Sequence, residues 1–116
     1  MQRRDKIILG KILQEIEVLI TSTKLLTYNS FIANDDKKRA AAMTMINIGE
    51  LVHNMTPEFK KSARHIPFNE IKATRNTAAH RYHALDFDVI WNTIQYDIPT
   101  LKTQIQKILH DSEKTP

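Results

Sequence analysis

No cysteine occurs anywhere in this chain, which excludes disulfides and thiolate metal sites and makes a reducing cytosol the simplest compartment. Glycine is almost as scarce, with only Gly10 and Gly49, and proline appears four times, once as the last residue. A multi-stranded sheet needs turn residues at every hairpin, so this scarcity argues for a few long helices instead. Long apolar runs are missing too. The opening MQRRDKIILGKILQEIEVLI is basic and then apolar in the manner of a signal peptide, but Asp5, Lys6, Lys11, Glu15 and Glu17 interrupt it. No uncharged run approaches the roughly 18 residues that a membrane-spanning helix requires. The sequence therefore implies a soluble, cytoplasmic protein with no membrane partner.

What is present points the same way. A content of 41% hydrophobic and 26% charged residues is that of a globular rather than a disordered chain. At 116 residues it forms one domain, spanning 1–116, large enough for a single core. The net charge of +4 is compatible with an anionic partner without singling one out.

Apolar residues Ile8/Leu9, Ile12/Leu13, Ile16 and Leu19/Ile20 recur every three or four positions, the stripe of an amphipathic helix from Asp5 to about Tyr28. Turn formers follow at Asn29, Ser30, Asn34 and Asp35, and Asn34 or Asp35 is placed to cap a second helix through Ile46, Ile48 and Leu51 to about Met55. TPEFKKSARHIPFNE reads as irregular. A third helix should start near Pro67 or Phe68 and run to about Tyr82, and Asp86 should cap a fourth carrying Val89, Ile90, Trp91 and Ile94. Pro99 either kinks that helix or separates a fifth, and DSEKTP reads as a frayed tail. The fold class expected is an all-α, up-down bundle of four to five helices, the last kinked or broken near Pro99.

One stretch does not serve burial. RNTAAHRY, residues 75–82, gathers an arginine, an asparagine, a histidine and a tyrosine around two alanines. At about 100° per residue, Asn76, His80 and His83 share one face of the expected helix and Arg75 and Tyr82 a neighbouring one. Ala78 and Ala79 would let a ligand or another helix approach. The set suits phosphodiester cleavage without a metal. A histidine exchanges protons near neutral pH, a guanidinium pairs with phosphate oxygens, and the 2′-hydroxyl of RNA is a built-in nucleophile. One histidine supplies a base or an acid but not both, so a symmetric dimer would complete the site. By spacing alone, a surface helix explains the same residues.

RNTAAHRY resembles the Arg-polar-x3-His-x-Tyr motif of the HEPN superfamily, in its HepT-like toxin branch. INIGEL (46–51) is similar to that family's Ile-Gly-Glu signature, IPFNEIKATRN to its proline-aromatic entry into the motif helix, and DFDVIWNTIQYDIPTLKTQI to its Asp-to-Trp segment and Leu/Ile-Pro-x-Leu turn. The likeness runs in order over roughly residues 5–110. It implies a helical homodimer that cleaves RNA without cofactor or metal, as the toxin of a toxin–antitoxin pair. Its antitoxin would be a nucleotidyltransferase of the minimal, MntA-like type that transfers AMP to the motif tyrosine, here Tyr82. By position, Arg75 would stabilise the scissile phosphate, Asn76 would support it, and His80 would move the proton. Phe68 stands where a tryptophan is common and Arg81 where a glycine is frequent, and neither change removes a catalytic group.

Several other residues invite a role. Lys60, Lys61, Arg64 and Arg81 are candidate RNA contacts, and Arg39 could extend a basic path. His83 could be a second titratable group. His80 and His83 form His-x-x-His, with His53 and His65 elsewhere, but the pattern specifies no third metal ligand. Asp86 and Asp88 read as a helix cap rather than a metal pair. Glu50 could pair with Arg75 or sit at a dimer interface, and Trp91 and Tyr96 read as core or interface. The alternative function is a non-catalytic nucleotide- or RNA-binding partner subunit of the nucleotidyltransferase. A ligand-free structural dimer would leave RNTAAHRY unexplained.

Overall fold

A computed structural model describes residues 1–113, with every side chain except those of Phe68, Asn69 and Ala79. Its helices are α1 (Arg3–Thr23), α2 (Tyr28–Ile32), α3 (Asp35–His53), α4 (Pro57–Ser62), α5 (Phe68–His80), α6 (Phe87–Asn92) and α7 (Ile98–Glu113). A 3₁₀ turn covers Tyr82–Ala84 and a π turn Thr93–Asp97. The described residues contain no strand, and the expected all-α class is what forms. No helix among them is long and apolar enough to cross a membrane.

Caps set most of the boundaries. Asn34 accepts the Lys37 backbone N–H (3.0 Å) to start α3, with Asp35 and Asp36 favourably placed in its first turn. Asp86 accepts from the Asp88 and Val89 backbones and starts α6, as expected. The expected boundaries do not all hold. α1 stops at Thr23, and Thr27 opens the separate short α2 through a reciprocal cap with Ser30. The stretch expected to be irregular contains α4, because Thr56 caps it and Pro57 takes the first position, where no N–H is needed.

The direction of each helix follows from its cross-links. Arg4, Glu15 and Ser22 of α1 meet Asn54, Asn47 and Lys37 in turn, so α3 runs antiparallel to α1. Glu50 of α3 pairs with Arg75 of α5, and Arg39 lies over the ring of Tyr82, so α5 reverses again. Lys102 of α7 pairs with Glu17 of α1, and Ile108 and Ser112 lie beside Met1 and Gln2, which makes the last helix antiparallel to the first. The result is up-down-up-down.

Leu9, Ile12, Ile16 and Leu19 of α1, Ile48 of α3 and Ile105 of α7 are buried in one core. Phe31 of α2 joins them and stacks on Trp91 (centroids 5.2 Å) and Phe87 (6.4 Å). Trp91 is thus partly buried against the core, in keeping with its expected core or interface role, whereas Tyr96 is exposed.

α5 packs chiefly on α3. It stands apart from the α6–α7 rod across a groove of about 560 Å³ floored by Met45, Ile48 and Ile71.

Pro99 does not break the last helix. The helical path continues from Phe87 to Glu113, and the π turn just before Pro99 absorbs the problem, with the Ile98 N–H reaching back to the Thr93 carbonyl. Pro99 has no N–H, and its ring would collide with the carbonyl four residues earlier in a regular α-helix. Widening one turn relieves both. Of the tail expected from Asp111, residues to Glu113 are helical, and the rest lies outside the described residues.

Asp5 is buried and accepts both the backbone N–H (2.8 Å) and the hydroxyl (2.6 Å) of Thr56, tying the start of α1 to the cap of α4. Asp5→Ala should cost about 2 kcal/mol in urea unfolding, because it removes a buried, charged acceptor from two partly buried donors of Thr56. Tyr28 of α2 donates its hydroxyl proton to Asp88. That hydrogen bond, with partial burial and the charges of Asp88 and Asp86, raises its phenol above the ordinary 10.0. The tie is therefore present below about pH 10 and is lost as pH climbs through the raised value. In a phenolate absorbance titration, Asp88→Asn should return the late-titrating tyrosine to the ordinary range.

Candidate active site

The packing of α5 on α3 is closest at Gly49. A Cβ built there would stand 2.2 Å from the Arg75 Cβ and 2.6 Å from its Cγ, so no side chain larger than hydrogen is compatible with this approach. Only a residue without a Cβ lets Arg75 lie directly across α3. Ala78, one turn further along α5, is small and buried against the bundle.

The next residue along α3 takes hold of the guanidinium. Glu50 Oε1 accepts from Arg75 Nε (2.7 Å) and from its NH2 group, while NH1 donates to Asn76 Oδ1. All three nitrogens are engaged. Two of the five N–H groups remain, one on each terminal nitrogen, for an external acceptor. The Arg75 side chain is 22% exposed and that of Glu50 47%, so the pair is half wet and is worth less in stability than in orientation. Glu50 also borders a shallow hollow of about 450 Å³ between α1 and α3, shared with Lys11, Gln14 and Asn47.

His80 is the last residue of α5 and is exposed, one turn beyond Asn76. The helix ends there because Arg81 leaves helical geometry (φ −142°, ψ 55°), two residues short of the end expected from sequence. Tyr82 and His83 therefore lie in the 3₁₀ turn, which corrects the expectation that they continue the faces of α5.

Tyr82 is half-buried and is fixed by its neighbours. Its ring packs edge-on against Phe87 and His83 (centroids 5.7 Å each), and the Arg39 guanidinium lies over it at 5.2 Å. Through Phe87 and Phe31 the ring is joined to the core. Sequence spacing gave no signal for the Arg39–Tyr82 stack, because neighbours on two antiparallel helices share no local pattern.

The remaining candidates are more dispersed. Arg81 is exposed beside His80. Lys60 and Lys61 lie in α4 and Arg64 in the link to α5, all before the start of the motif helix, and Lys60 donates to the His53 carbonyl. The expected contributions of the Phe68 and Ala79 side chains lie outside the described residues. No three His, Asp or Glu among the described residues gather closely enough to hold a metal ion.

Neighbouring positions on α3 should respond differently to mutation. Gly49→Ala should destabilise the protein by about 1–3 kcal/mol despite alanine's better helix propensity, because the new methyl must displace Arg75. Glu50→Gln should cost under about 1 kcal/mol, as expected for a half-exposed pair. Thermal melts of the two variants check this order.

A family model described as "Ribonuclease HepT-like" matches residues 12–108. Among curated relatives, a protein of Methanocaldococcus jannaschii named "Putative RNase MJ1216" is 34% identical over 97% of this chain and 94% of its own. One of Caldanaerobacter subterraneus named "Putative RNase TTE0752" is 35% identical over 87% of this chain and 90% of its own. The "Probable ribonuclease HepT" of Thermococcus cleftensis is 30% identical over 93% and 98%. No solved structure matches. The extent of the family match, together with relatives aligned over nearly their whole length, establishes that this chain belongs to the HepT-like ribonuclease family.

Proposed function

We propose that this protein is a metal-independent endoribonuclease whose site is built on Arg75, Asn76 and His80. The observation that carries the reading is the tethered guanidinium. Glu50 and Asn76 hold Arg75 in one orientation with two N–H groups free, and His80 stands exposed one turn from Asn76. In this mechanism His80 removes the proton of an RNA 2′-hydroxyl, whose oxygen attacks the adjacent phosphorus. Arg75 pairs with the non-bridging oxygens as charge builds on them. The P–O5′ bond breaks, and a 2′,3′-cyclic phosphate and a 5′-hydroxyl form once an acid protonates the leaving oxygen.

That acid is His80 of a second copy. Asn76 and His80 form an exposed face of α5 with Arg75 at its edge, against α3, and the groove beside that helix is lined by neither Arg75 nor His80. A homodimer that sets two such faces together makes a cleft and supplies both base and acid. The same reading makes the protein the toxin of a toxin–antitoxin pair. It is silenced when a nucleotidyltransferase antitoxin transfers AMP to Tyr82, two residues from His80. The adduct is bulky and anionic, so it fills the approach to the site and repels RNA phosphates.

The experiment is RNA cleavage in EDTA by purified protein of recorded intact mass. Wild type of unmodified mass should cleave. His80→Ala should lower the rate by about 10²–10⁴-fold and Arg75→Ala by about 10²–10³-fold, with both variants keeping their melting profile. A broad RNA panel left uncut by unmodified wild type would replace this reading with that of a non-catalytic partner subunit. A mass raised by AMP would account for silence and would point to Tyr82.

A further inference from the structure

The antiparallel register sorts the basic residues by their distance from the reacting group. α4, with Lys60 and Lys61, precedes the first turn of α5, whereas His80 ends that helix about 18 Å further along at 1.5 Å per residue. The start of α3 lies at the His80 end, because Arg39 stacks on Tyr82. Apart from Arg75 and Arg81, which flank it along the chain, the cations nearest the reacting histidine are therefore those at the start of α3.

Those cations are not equivalent. Lys38 is paired with Asp35 (3.3 Å) and lies over Phe87, with its side chain only 20% exposed. Arg39 is exposed and makes no ion pair among the described residues. A guanidinium held over a ring spends none of its N–H donors on that contact, so they stay available to a phosphate. The ring beneath is no loose surface group, since Phe87 and Phe31 link it to the core. The nearby carboxylates of Asp86 and Asp88 are occupied in the α6 cap and the Tyr28 hydroxyl.

We infer that Arg39 is an RNA-backbone contact, and that the strand crossing His80 continues over Tyr82 toward the start of α3 rather than toward α4. This rests on the ribonuclease reading and adds to it a direction for the substrate. It also gives a physical account of silencing at Tyr82. An esterified phosphate there would sit beside Arg39 and take up the contact that the RNA needs, so the adduct would compete for a binding residue as well as block the cleft.

The test measures binding apart from cleavage. In a His80→Ala background, anisotropy of a labelled, short single-stranded RNA is followed as salt rises from about 50 to 200 mM. Losing one phosphate contact on a single strand should reduce the slope of log affinity against log salt by roughly 0.7. Arg39→Gln should show that reduction, and Arg39→Lys, which keeps the charge, should not. The double variant Lys60→Gln/Lys61→Gln should keep the parent slope.

An unchanged slope in Arg39→Gln with an earlier thermal melt would mean that Arg39 only supports the ring, and would overturn the inference. So would a slope that falls in the α4 variant instead. A parent that binds no RNA would overturn the inference together with the ribonuclease reading. Cleavage by wild type alongside an unchanged Arg39→Gln slope would overturn the inference alone.

Discussion

The close approach of α5 to α3 at Gly49 is the constraint on which the site depends. It places the Arg75 side chain across α3, where Glu50 holds the guanidinium from below and Asn76 from the side. An arginine on an open helix face would sample many rotamers and lose that freedom on meeting a phosphate. Here the ordering is done within the folded chain, which is what preorganisation for a charged transition state requires. Glu50 has a second effect, because its negative charge offsets part of the arginine's. The candidate site therefore presents directed N–H groups more than net positive potential.

The rest of the bundle supports this contact at a distance. α1, α3 and α7 carry the core, and α5 is laid on the outside of α3, leaving a groove between it and α7. Such a helix keeps a whole face for function at the cost of little core burial of its own. Its far end is secured differently. The chain leaves helical geometry at Arg81, and the turn that follows is fastened to the core through Tyr82, Phe87 and Phe31. The two anchors, polar at Arg75 and aromatic at Tyr82, bracket His80.

Parts of this were legible in the sequence and parts were not, for identifiable reasons. The caps at Asn34 and Asp86 are local signals, and each produced the element it implies, while the stripe of α1 produced a helix that stops at Thr23, short of the expected end near Tyr28. α5 ends two residues before its sequence pattern implies: Arg81 is neither glycine nor proline, and its departure from helical geometry has no local signature. Pro99 announced a disturbance but not its form. A π turn, unlike a break, preserves a continuous rod that packs along α1. Glu50 was recognisable as out of place on an apolar helix, and its pairing with Arg75 was one of two roles open to it.

The sequence by itself determined the helical class and the residue types grouped at 75–82, because these follow from composition, periodicity and short-range spacing. It also determined membership in the HepT-like ribonuclease family, since the likeness extends over most of the chain. Tertiary structure decided which of those residues work together. Arg75 meets Glu50 across a glycine, and Tyr82 lies under Arg39. These are contacts between antiparallel helices, set by register and by the size of one residue at the crossing, and no pattern along the chain encodes them.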